Sequence, residues 1–151
     1  MAAKRRVCTL AGILGAFTLT SGANDDAALP NSQIIDLGIG IYRQHCASCH
    51  GSNGEGAQEW RKPNEQGELP APPHGPEGHT WRHSDAMLHR MISQGWRDRF
   101  NKTDRLTMPA FEGILTKEEI SAVIAYLKTL WTPEQRRFQE SESAKHNGGG
   151  S

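Results

Sequence analysis

The chain has 151 residues, and its 36% hydrophobic and 23% charged content suits one globular domain of ordinary size. Seventeen basic residues balance seventeen acidic ones, so no broad basic field is present to attract nucleic acid. The apolar share is low for a large core built from side chains alone, which implies that some other apolar group completes the interior.

Residues 1–23 read as a secretory signal peptide rather than as part of the fold. Lys4, Arg5 and Arg6 make a positive start, Val7 to Leu19 is an apolar run, and Ser21-Gly22-Ala23 offers small residues for cleavage. An apolar run of about thirteen residues is short against the roughly twenty that span a bilayer, so an uncleaved anchor is the lesser alternative. Cys8 lies inside this segment, ahead of most of the apolar run, and is incidental. Cleavage would leave fourteen basic residues against seventeen acidic ones, a net charge of −3, and only two cysteines. The mature protein is expected in the periplasm, soluble, monomeric and without stable membrane insertion. Its main domain is expected to span 24–133.

Ser32 to Cys46 predicts a helix, with Asn31 or Ser32 as N-cap. Ile34, Ile35, Leu37, Ile39 and Ile41 give it apolar surface on more than one side. Gly38 lowers helix propensity, which points to another helix crossing close to the backbone there. The helix runs into Cys46-Ala47-Ser48-Cys49-His50. Two cysteines at this spacing can form a disulfide, a redox dithiol or half of a zinc site. The histidine that follows decides among these, because Cys-x-x-Cys-His is the attachment sequence of a covalent c-type haem. On a helical turn both thiols share a face and can reach the two vinyl groups of one porphyrin. The imidazole of His50 then projects under the ring, where a neutral nitrogen can ligate iron.

The stretch from Gly51 to Thr80 is rich in Gly and Pro and predicts a long loop, which a haem would organise. A helix follows over Ser84 to Gln94, with Ser84 as N-cap and Gly95 as its stop. A further helix begins at Lys117 and runs to about Trp131. Thr116 and Glu119 form its capping box, and Ile120, Val123, Ile124, Leu127 and Leu130 its apolar face. Pro133 bars continuation. Residues 134–151 are polar and are expected to be a disordered tail.

Opposite His50, the iron needs a second ligand. Met108, followed by Pro109 in a non-helical stretch, is well placed to supply a thioether from a loop. Met87 and Met91, one helical turn apart, read as core filler, and His74, His79 and His83 are the other candidates. Phe111 and the apolar face of the last helix are expected to wall the pocket. His79, Trp81 and Arg82 are candidate contacts for a haem propionate. His79 and His83, with His74, also raise the idea of a copper or zinc ion. His45 and His89 are expected at the surface.

The pattern Gly38-x-x-x-Tyr42-x-x-x-Cys46-x-x-Cys49-His50, then Met108-Pro109, then Ala125-Tyr126-Leu127, resembles the class I c-type cytochromes over about residues 32–131. The resemblance implies an all-α fold, with three main helices and long loops wrapped around one covalently bound haem c and its iron. It implies that Gly38 meets Tyr126 where the first and last helices cross. It implies a single-electron carrier between redox protein partners, not an enzyme. A haem enzyme or gas sensor with a labile sixth ligand is the alternative, as is a haem subunit of a larger oxidase or dehydrogenase.

Overall fold

The computed structural model describes residues 31–147; the expected signal segment lies outside the described residues. The described chain is helical, with α1 (Ser32–His45), α2 (Ala47–His50), α3 (Asp85–Gln94), α4 (Lys117–Thr129) and α5 (Pro133–Asn147), plus a 3-10 turn at Thr80–Arg82. The fold class is therefore all-α.

Local chemistry sets the helix ends. Asn31 Oδ1 accepts from Gln33 N at 2.8 Å and opens α1. Ser84 Oγ accepts from Met87 N at 3.3 Å and opens α3. Thr116 and Glu119 close a reciprocal capping box at α4, at 3.1 and 2.8 Å. At the far end of α3, the orphan carbonyls of Ile92 and Ser93 accept from Phe111 N (3.1 Å) and Glu112 N (2.9 Å). The segment after Met108 is thus tied to the end of α3.

α1 and α4 form the principal helix pair, with α3 packed on α4. At their crossing, a Cβ on Gly38 would lie 2.0 Å from the Ala122 carbonyl oxygen and 3.0 Å from Tyr126 Cβ, so only glycine permits this approach. Tyr42 packs edge-on against Tyr126 at 5.0 Å. The core joins Ile41 and Tyr42 of α1, Leu88 and Ile92 of α3, Phe111, and Ile120, Val123, Ile124 and Leu127 of α4. Each such aliphatic side chain, fully buried, contributes about 1.5–3 kcal/mol. α1 packs on one side only, contrary to the expectation from its composition. Ile34 and Leu37 are 45% and 50% exposed, because the crossing at Gly38 commits the opposite face to α4.

Residues 134–151 are expected from their polarity to be a disordered tail; among the described residues, 134–147 instead belong to α5, which packs on the main domain. Thr132 and Gln135 form a second reciprocal cap, with Pro133 at the first helical position, where its missing N–H costs nothing. The helix docks through polar groups. Gln139 is fully buried, and its Nε2 donates to the His83 carbonyl (3.2 Å) and Asp85 Oδ1 (2.6 Å). Ser143 Oγ accepts from Asp85 N at 3.0 Å, and Phe138 sets its ring edge-on to Trp81 at 5.5 Å.

The two long loops brace each other. Arg105 holds the buried Glu68 carboxylate with two hydrogen bonds at 3.0 and 2.5 Å, and Asn64 adds a third at 3.0 Å. Asp98 accepts from Leu69 N at 3.0 Å, and Lys102 N donates to the Gln66 carbonyl at 2.7 Å.

Candidate haem site

The two cysteines stand where α1 hands over to α2. Cys46 breaks the first helix with φ −115°, and the following turn carries Cys49 and His50. Both thiols are free; Cys46 is half-buried against the core and Cys49 is exposed. Burial, and then the neighbouring Cys49, push the Cys46 thiol up to about 11, so it stays protonated near neutrality.

His50 is buried, and its Nδ1–H donates to the Pro72 carbonyl at 2.9 Å. A carbonyl only accepts, so this bond fixes the tautomer and leaves Nε2 with a free lone pair. Burial also lowers the affinity of the ring for a second proton. The His74 ring stacks on His50 at 4.2 Å between centroids, 23° from parallel.

Cys46, Cys49, His50 and Met108 all line one cavity of about 300 Å³. Its walls are largely apolar, with Leu88 and Ile92 from α3, Val123 and Leu127 from α4, and Phe111 between them. Met108 is held by its backbone, since it exchanges both hydrogen bonds with Trp96 in an isolated antiparallel bridge. Gly95 precedes that bridge at φ +76°, and a Cβ there would lie 2.6 Å from the Met108 carbonyl oxygen. Met87 and Met91 face the same cavity from α3.

The other expected residues divide. His79 lines the cavity, stacked on Trp60 at 5.7 Å, whereas Trp81 and Arg82 do not line it. Trp81 is turned toward α5, its buried Nε1 has no hydrogen-bond partner among the described residues, and Arg82 lies over its ring at 4.9 Å. His45, expected at the surface, instead lines the cavity with its ring edge-on to Phe111 at 6.0 Å. His79 and His83 meet edge to face at 5.4 Å, but among the described residues no three His, Cys, Asp or Glu side chains gather as a metal site. Sequence reasoning missed Pro72, because what it supplies is a backbone carbonyl that no side chain advertises. It also missed the Trp96 bridge, which is too short to show an alternating pattern.

The donor set fits a covalently attached haem: two free thiols one helical turn apart, a neutral imidazole with its outer nitrogen open, and a thioether on one apolar cavity. An all-α chain of this kind is a covalent-haem protein in class. A family model described as Cytochrome c matches residues 35–131, and the chain belongs to that family. Neither the curated proteins nor the solved structures gave a match. The family binds haem c covalently and carries electrons, and Cys46 and Cys49 stand at its attachment spacing.

Proposed function

We propose that this protein is an exported carrier of single electrons, with one haem attached through Cys46 and Cys49 and its iron held between His50 and Met108. The observation that supports this most is the convergence of these four side chains, from two distant segments, on one apolar cavity. A bound haem supplies one-electron chemistry by alternating between ferrous and ferric iron. The protein's own residues do the rest. Pro72 holds the His50 tautomer, and the Trp96 bridge holds the backbone of Met108. Phe111, Val123 and Leu127 line the cavity with apolar surface, which would keep water from a bound haem, disfavour the extra charge of its ferric state and raise its potential.

If His50 and Met108 both held the iron, no position would be left for a substrate, which favours a carrier over an enzyme. Its partners would be redox proteins outside the cytoplasmic membrane. His79, on the cavity wall, is the best placed of the candidate propionate contacts.

The ligand set is the test. The oxidised protein should show the weak far-red band of His/Met-ligated haem. Met108→His should remove that band and lower the potential while leaving the haem attached. An unchanged spectrum and potential in Met108→Ala would assign the iron to Met87, Met91 or a histidine. Acid-acetone should fail to extract the haem, and the intact mass should correspond to an N-terminus near Asn24 plus one haem.

A further inference from the structure

The ring of His50 is held on two sides, and ligation accounts for neither contact. One is the Pro72 carbonyl at Nδ1. A single hydrogen bond tolerates tens of degrees of misalignment before it weakens steeply, so it fixes the tautomer better than the ring plane. The other is the face of His74, stacked 4.2 Å away and 23° from parallel.

His74 is itself anchored by groups other than His50. Its backbone N donates to the Gly54 carbonyl at 2.7 Å, and its carbonyl accepts from Trp131 Nε1 at 2.9 Å. Its ring Nδ1 is hydrogen-bonded to Thr80 Oγ1 at 3.0 Å, and Thr80 is buried at the start of the 3-10 turn. Tyr42 presents a ring edge to it at 5.9 Å. With main chain and ring both tied down, His74 offers a fixed flat surface, and His50 must lie along it. A leucine would fill the same space without imposing a plane.

We propose that His74 is a positioning residue for the iron ligand: its ring sets the plane of the His50 imidazole and keeps Nδ1 in line with the Pro72 carbonyl. This rests on His50 being the ligand, and concerns what orients it. A well-aligned Nδ1–H···O bond makes the imidazole a better donor to iron, which favours the ferric state. Loosening the ring should therefore raise the potential. The plane of an axial imidazole also governs how unpaired spin spreads over the porphyrin, so it is read in the order of the haem-methyl resonances of the ferric protein.

The experiment is proton NMR and redox titration of the haem-loaded protein and three variants. His74→Leu is expected to reorder the haem-methyl resonances and raise the potential. His74→Phe, which keeps a flat ring against His50, should hold the parental order. Thr80→Val, which cuts the ring anchor without touching His50, should shift both readouts the same way as Leu but less. A folded, low-spin His74→Leu protein with the parental methyl order and potential would overturn the proposal. Should that variant not fold, unchanged readouts in Thr80→Val overturn it equally. If the parent lacks hyperfine-shifted imidazole resonances from His50, the ligation reading fails first and takes this one with it.

Discussion

Trp96 and Met108 exchange both backbone hydrogen bonds, with N···O distances of 3.0 Å in each direction, so the residue that offers its thioether to the cavity is fixed by main chain rather than by its own side chain. Gly95 makes this possible. It adopts φ +76°, and its missing Cβ leaves room for the Met108 carbonyl and the Ala110 nitrogen. Gly95→Ala should cost about 1–3 kcal/mol through backbone strain. It should also weaken the far-red His/Met band, because the bridge must shift. Thermal unfolding and the oxidised spectrum, recorded on one sample, check both.

The helix crossing gives a paired test within α1. Gly38→Ala places a methyl 2.0 Å from a backbone oxygen of α4 that no rotamer change can move, and should destabilise by about 1–3 kcal/mol or more. Gly40→Ala, two residues on, meets nothing within 4 Å. Its effect should be helix propensity alone, a gain of about 0.5–1 kcal/mol. Urea unfolding should move the two midpoints in opposite directions.

Glu68 links the long loops and predicts an acid response. The hydrogen bonds from Arg105, and then from Asn64, hold its carboxyl below the ordinary value of 4.5. A group whose folded pKa is depressed stabilises the fold above its unfolded pKa, and that stabilisation is lost as pH falls through the folded value. Glu68→Gln should therefore melt below the parent at neutral pH. The gap in Tm should stay level down to about pH 5 and then close. A gap independent of pH across that range would show that shape, not charge, joins the loops.

Gln139 tests whether α5 belongs to the fold. Gln139→Ala truncates a fully buried side chain and removes its hydrogen bonds to the part-buried His83 carbonyl and Asp85 Oδ1, and should cost about 1–3 kcal/mol. Glu140→Ala, on the exposed side of the same helix, should stay within about 0.5 kcal/mol. Equal effects, read by calorimetry, would mean the helix is only loosely attached.

The parts of this molecule legible in its sequence are those whose chemistry is local. Cys46, Cys49 and His50 sit within one turn, and Asn31, Ser84 and Thr116 cap the helices they precede. What was not legible depends on groups that carry no side-chain signature or on partners far along the chain. Pro72 acts through its carbonyl, and the exposure of Ile34 and Leu37 follows from where α4 lands on α1. α5 is an intermediate case. Its polar composition argued for disorder, yet Thr132-Pro133-Glu134-Gln135 holds a cap and a helix-starting proline. The helix is fastened by polar contacts, which hydrophobic periodicity cannot reveal.

The crossing of α1 and α4 at Gly38 joins two helices whose connecting stretch is mostly irregular. In polymer terms this is one large ring closure, and its entropy grows only with the logarithm of length, roughly 0.6 kcal/mol for each doubling. Extra residues between the anchored points Pro72, Trp96 and Met108 therefore cost little, provided those points stay where they are. In the charged stretch over 97–107 the place for such an addition is Asp104, which is fully exposed, whereas Arg105 and Asn101 on either side of it are tied by hydrogen bonds and Asp98 and Thr107 line the cavity. Tolerance of this kind lets one cage carry different outer surfaces without being rebuilt.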